Sequence, residues 1–376
     1  MKFRLFFLLF ATKLCMAQTA LYNAGNIRIH GGGNLGFHTD LINDSPFSEN
    51  LGLAGFYGDQ SLQVSGALAP AFYDVEIVNP GGVLLNTSVN VENNANFITG
   101  DFQTSRLASD AYLNFVSNSF YSGENDASKV DGYAAISGTS NFVFPIGDDQ
   151  LLRTLRLNAT SNIDFAKCAY FFQDPNNLGF NPAIKTETLA TISETEFWRL
   201  EGSNLATVTL SWNTRSNMGA IAPDLNFITI VGWNLSQQQW LSLGNVSVSG
   251  DLNNGIITSA AFIPDDYAAI TFGSLAEPTE ILVLGNFWIS PNNDGINDFL
   301  LIPELELSPN NKLEIFDRNG VRVFEQENYR DEFRGFANTG SWILNPDQGL
   351  PTGIYYYTAE LYDLDLSYQG FLYLER

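Results

Sequence analysis

Apolar residues in this chain come in short runs that alternate with polar ones, and turn residues break the runs about every ten positions. Leu62-Gln63-Val64, Val75-Glu76-Ile77, Val89-Asn90-Val91 and Phe97-Ile98 are such runs, with Asn79-Pro80-Gly81-Gly82 and Asn93-Asn94 between them. Period-two alternation over a few residues is the pattern of a half-buried strand. Helical periodicity is nearly absent, so the sequence predicts an all-β protein. Strands this short at this spacing suit either the stacked coils of a β-solenoid or a β-sandwich over residues 18–120. No clean internal repeat decides between the two.

The pattern changes along the chain. Residues 121–190 read as a β-rich connecting region, in which Phe142 and Phe144 face one way and Val143 the other. Pro145 ends that strand because it has no amide to donate, and Arg153 and Arg156 follow on a second strand. Residues 191–276 hold six or seven alternating runs, among them Ala206-Thr207-Val208-Thr209-Leu210-Ser211-Trp212 and Phe227-Ile228-Thr229-Ile230-Val231-Gly232-Trp233. That spacing predicts an immunoglobulin-like sandwich, with Trp198, Trp212 and Trp233 in its core. Glu277-Pro278-Thr279-Glu280 reads as a linker over 277–280, and residues 281–376 as a further β-sandwich. Its strands are expected near 281–289, 299–302, 312–317, 321–325, 354–362 and 368–374.

The first 17 residues are different in kind. Lys2 and Arg4 precede Leu5-Phe6-Phe7-Leu8-Leu9-Phe10-Ala11, and Cys15-Met16-Ala17 leads into Gln18. A basic start, a short apolar run and a small residue at the end are the parts of a secretory signal peptide. A lipoprotein signal would need a small residue before Cys15, where Leu14 stands. No later apolar run approaches the roughly 18 residues of a membrane-spanning helix.

Composition limits the chemistry. The formal net charge is −23, and residues 1–17 carry three bases and no acid, so the chain beyond them is more acidic still. Nucleic acid is excluded as a partner, since phosphate contacts need clustered Lys and Arg. Cys168 is the only cysteine outside the signal, so an internal disulfide is excluded and a buried, inert thiol is expected. His30-Gly31-Gly32-Gly33 matches the oxyanion-hole tetrapeptide of esterases. The motif requires a Gly-x-Ser-x-Gly elbow and a later catalytic His, and neither is present. His30 and His38 with Asp40 and Asp44 are a poor metal set, better read as a turn. No catalytic residue is expected, and the chain is read as not an enzyme.

Four motifs in the last hundred residues are more specific. They are Ser290-Pro291-Asn292-Asn293-Asp294-Gly295-Ile296-Asn297-Asp298, Ile315-Phe316-Asp317-Arg318-Asn319-Gly320, Leu350-Pro351-Thr352-Gly353-Ile354-Tyr355-Tyr356-Tyr357, and Gly370-Phe371-Leu372-Tyr373-Leu374-Glu375-Arg376. Their order resembles the gliding motility-associated C-terminal domain of Bacteroidetes, the type B sorting domain of the type IX secretion system. Its pattern runs "TPNGDGxND", "IFNRWG", "LPxGTYYY" and "KGxxxLxR". This chain departs from it at Asn293, Asp317, Asn319 and Gln369. The resemblance implies export to the periplasm and then across the outer membrane, with the secretion machinery and an outer-membrane β-barrel as partners. It also implies a surface or extracellular destination. It puts the sorting signal on Pro291, Asn292, Asp294, Gly295, Asn297, Asp298, Phe316, Arg318, Gly320, Pro351, Gly353, Tyr355, Tyr357, Gly370 and Arg376.

Segments further upstream, Phe72-Tyr73-Asp74-Val75-Glu76-Ile77 and the pair Val130-Asp131-Gly132 with Phe142-Val143-Phe144-Pro145-Ile146-Gly147-Asp148, are similar to segments of other Bacteroidetes surface proteins. The expected role is therefore a structural or adhesin-like passenger with an extracellular glycan or matrix ligand. The alternative is a carbohydrate-binding or hydrolytic passenger on the same sorting domain. No cofactor is expected, with one exception to test. Asp294, Asn297 and Asp298 crowd oxygen ligands around Gly295 as a Ca²⁺ loop would, although an Asx-rich turn is the favoured reading.

Overall fold

The alternating runs become paired strands. This computed structural model describes residues 20–276, 286–302, 305, 308, 310–339, 349–364 and 366–376. The expected signal peptide at 1–17 and the expected linker at 277–280 lie outside the described residues. The protein is all-β, with its helices among the described residues no longer than single turns of four residues. None of them is long and apolar enough to cross a membrane. The chain divides into two compact units, residues 1–277 and 278–376.

The first unit begins as a β-solenoid. The chain alternates between two parallel sheets. One sheet takes Ala20–Asn23, Asp40–Asn43, Leu62–Ser65 and Val83–Leu85. The other takes Asn34–Phe37, Leu53–Tyr57, Ala71–Val78 and Val89–Thr99. Partners Leu53, Asp74 and Asn94 lie side by side, about 20 residues apart, which is one solenoid coil. Stacking makes inward columns. Phe37, Phe56, Ile77 and Phe97 line up through their register and are all buried, with Phe37 and Phe56 stacked at 4.8 Å.

The coil corners are held by buried asparagines. The Asn23 side-chain amide donates to Asn43 Oδ1 at 2.7 Å, Asn43 to the Leu68 carbonyl at 2.8 Å, and Asn79 to the Gln60 carbonyl at 2.8 Å. Corner backbone turned away from water must find partners, and amide side chains offer both a donor and an acceptor.

The solenoid does not end at a domain boundary. Its second sheet continues from Tyr133–Ser137 into the antiparallel strands Ala166–Phe171, Phe197–Gly202, Tyr267–Leu275, Ile228–Asn234 and Gln239–Gly244. A separate antiparallel sheet, Thr139–Phe144, Leu155–Ile163, Ala206–Trp212, Gly255–Thr258 and Ser247–Gly250, shares the same core. Three of these antiparallel strands, Thr139–Phe144, Leu155–Ile163 and Ala166–Phe171, come from the connecting region at 121–190. Trp198, Trp212 and Trp233 are all buried. Cys168 is fully buried, and burial pushes its thiol well up.

A polar network locks this junction. Arg153 grips both Glu196 oxygens, at 2.7 and 2.8 Å, and donates to Ser216 at 3.0 Å. Tyr170 donates to Glu196 Oε2 at 2.6 Å. Arg215 pairs with Asp148 and donates to the Tyr170 hydroxyl at 2.9 Å. Arg106 reaches the Gly147 carbonyl at 2.7 Å and Asp131 at 2.7 Å. Asp131, Gly147 and Asp148 lie in the segments at 130–132 and 142–148, so those segments fasten the coils to the antiparallel sheets.

The second unit, among its described residues, holds one five-stranded sheet ordered Phe287–Ile289, Leu366–Leu374, Gly353–Leu361, Asn311–Phe316 and Arg322–Glu327. Residues 299–302 are not a strand. They pack Leu300 and Ile302 into the core instead, and the Leu300 amide bonds the Phe333 carbonyl at 3.0 Å. A run of two buried apolar residues has the composition of a strand without a neighbour to pair with.

Candidate functional site

The four C-terminal motifs converge on one end of this sheet. Ile289, just before the opening motif, pairs with Leu374. Leu374 pairs with Gly353, and Tyr356 with both Phe371 and Phe316. Ser290–Asp298, Asp317–Gly320, Pro351–Gly353 and Arg376 therefore all leave the sheet at the same end, although they span the whole unit in sequence.

The opening motif is a loop built on Asp298. Its carboxylate accepts the amides of Asn292 at 3.0 Å, Asn293 at 2.6 Å and Gly295 at 2.8 Å. The Gly295 amide first, then those of Asn293 and Asn292, hold the Asp298 carboxyl below its ordinary value. Asn293, Gly295 and Asn297 take left-handed φ of 63°, 87° and 54°, a conformation Gly and Asn adopt most readily. Asp294 accepts the Ile296 amide at 2.8 Å and the Asn292 side chain at 2.9 Å. Every one of these contacts points an N–H dipole at a carboxylate oxygen. These are the contacts of an Asx-rich turn, the alternative reading of the motif to a Ca²⁺ loop. Among the described residues no cluster of His, Cys, Asp and Glu is placed to hold a metal.

The other motifs are equally structural in their contacts. Asp317 accepts the Asn319 and Val321 amides at 2.8 and 2.9 Å, closing a hairpin through Gly320, while Arg318 stays exposed. Tyr355 is buried and donates to the Pro351 carbonyl at 2.8 Å. Tyr357 lies across Gly370, where a Cβ would stand 2.6 Å from its hydroxyl, so the cross-strand pair needs glycine. Arg376 folds back on the unit. Its amide donates to Thr352 Oγ1 at 3.1 Å, its guanidinium to the Gly335 carbonyl at 2.9 Å, and that group lies 4.6 Å from the Phe336 ring.

The sequence does not reveal Thr352, Gly335 or Phe336, because nothing in their spacing ties them to Arg376. Elsewhere, the Gly33 amide bonds the His30 carbonyl at 2.8 Å in a tight turn, and His38 sits 5.6 Å from the Tyr57 ring. Arg153, expected on a strand, stands just before Leu155–Ile163, and its partner Glu196 lies 43 residues away.

Residues 282–374 match the CHU_C family model, described as a type IX secretion signal domain. No curated protein and no solved structure matches the chain. The domain implies interaction with the type IX machinery and secretion across the outer membrane to the cell surface or extracellular space. The loop on Asp298, the Tyr357–Gly370 contact and the anchored Arg376 thus belong to a type IX secretion signal domain, a gliding motility-associated sorting domain of type B.

Proposed function

We propose that the first unit is a non-catalytic structural or adhesin-like passenger that the sorting unit delivers to the cell surface. The observation that carries this reading is where the passenger's ionisable groups point. Arg153, Glu196, Asp148, Arg215 and Tyr170 bind one another inside the junction, and the histidines stand in or beside turns. What the solenoid presents outward is a polar ladder. Asn93 donates to Asp74 at 2.6 Å, Asn96 to Glu76 at 2.7 Å and Tyr57 to Glu76 at 3.1 Å. A hydrogen-bonding face of this kind suits an extended glycan or matrix ligand. An outer-membrane β-barrel is the proposed recipient of the sorting unit. An array of glycans and matrix proteins probed with the purified full chain tests the passenger role. Saturable binding that weakens in Glu76→Ala supports it. Turnover of an arrayed glycan, abolished in the same variant, would overturn it in favour of a hydrolase.

A further inference from the structure

The sheet of the sorting unit buries one face and leaves an aromatic surface on the other. Ile289, Leu313, Ile315, Tyr355, Tyr357, Leu372 and Leu374 point into the core. Alternation then sends Trp288, Ile354, Tyr356, Phe371 and Tyr373 outward, and they are 38–57% exposed. Their register makes the surface continuous. Trp288 pairs with Tyr373 and Tyr373 with Ile354 in one row, and Phe371 pairs with Tyr356 and Tyr356 with Phe316 in the next. Side chains opposite each other across strands are in contact range. Large rings gathered in one exposed patch mark an interaction surface rather than ordinary surface scatter, and Trp and Tyr dominate binding hot spots.

The far half of the same face identifies the occupant. Lys312 lies 3.1 Å from Glu314 and 2.9 Å from Glu325, and Arg322 is 2.9 Å from Glu325. Glu327 and Glu360 stand in register beside Lys312, leaving acids in excess. That excess repels an anionic lipid surface. It also opposes a second copy placed face to face, which would set like charges against each other. It suits a different protein with basic residues around an apolar centre.

We propose that this aromatic face, at the same end of the sheet as the four motifs, is where a protein of the secretion machinery docks, through an apolar surface rimmed by basic residues. The proposal rests on the sorting role of the unit. The test expresses the full chain in a bacterium with a type IX system and measures the amount at the cell surface and in the periplasm. The variants are Trp288→Thr/Tyr356→Thr/Tyr373→Thr, the single charge insertion Tyr356→Lys, and a chain ending at Pro278. Thermal melting of each purified chain separates folding from docking.

The expected result is about a tenfold loss of surface protein for the triple variant and for Tyr356→Lys, the scale of losing a hot-spot contact, with melting unchanged in Tyr356→Lys. Surface display of both patch variants at the level of the unaltered chain, while the chain ending at Pro278 stays in the periplasm, overturns the docking face and leaves the sorting role intact. Surface display of the chain ending at Pro278 overturns the sorting role itself. Patch-dependent dimers in sedimentation, or patch-dependent binding to phosphatidylethanolamine–phosphatidylglycerol vesicles, would also overturn the proposal by naming a different occupant.

Discussion

Asp298 shows how a residue that reads as a ligand can be a cap for its own loop. Three amides converge on its carboxylate, and the motif's Asn and Gly residues supply the left-handed turns that aim them. Adding calcium or a chelator should leave the melting temperature of the full chain unchanged, since binding to the native state would raise it by mass action. A calcium-dependent rise lost in Asp294→Ala/Asp298→Ala would show that the loop takes a cation after all. The same hydrogen bonds set a pH dependence. A carboxyl held below its ordinary value of 3.8 contributes stability that is present above that pH and is lost as pH falls through the lowered value. Asp298→Asn should therefore lower the melting temperature of the second unit at pH 7 and flatten its decline below pH 4. Melting curves followed across pH 2–7 check both points.

At the scale of elements, two contacts carry strand pairing that neither strand specifies alone. Arg153 and Glu196 are both buried and stand just before strands of different sheets, Leu155–Ile163 and Phe197–Gly202. Removing one partner leaves a buried charge, so Glu196→Ala should cost about 3–5 kcal/mol in urea unfolding. The double change Arg153→Met/Glu196→Leu should recover much of that loss, because it leaves no charge uncompensated. The Tyr357–Gly370 pair is a matter of space. Gly370→Val would drive a side chain into the Tyr357 ring, and such overpacking costs about 1–3 kcal/mol. Smaller damage in Gly370→Val/Tyr357→Ala than in Gly370→Val alone would confirm that the ring is the obstacle.

At the scale of the whole molecule, the division at residues 277/278 separates a delivered body from its sorting unit. A chain ending at Pro278 should fold, since residues 20–276 hold a hydrophobic core of their own, yet remain in the periplasm. Fractionation of cells decides the location, and circular dichroism of the purified fragment decides the folding. Acid should weaken the passenger as well. Burial alone would raise the Asp148 carboxyl, but Arg215 and the Leu151 and Gln150 amides outweigh it and hold the group below 3.8. Its contribution is present above that pH and is lost as pH falls through the lowered value, so Asp148→Asn should unfold with a weaker acid dependence.

Local chemistry is legible directly in the sequence. Period-two alternation and turn residues dictate strands, and the absence of helical periodicity dictates an all-β chain. The order of four short motifs marks the sorting unit, because each motif keeps its residues within a single turn or strand. The choice of solenoid over sandwich for residues 18–120 needed the tertiary structure. The coil repeat lies in columns such as Phe37, Phe56, Ile77 and Phe97, whose spacing drifts from coil to coil and whose residue types vary. The tertiary structure alone carried the antiparallel sheets into the connecting region at 121–190, joined Arg153 to Glu196, and brought Arg376 to Gly335 and Phe336. It also showed that Trp288, Ile354, Tyr356, Phe371 and Tyr373 form one surface. Alternation says that each such residue points to one face or the other. Which face meets the core, and which residues stand beside one another across strands, depends on pairing between segments far apart in the chain.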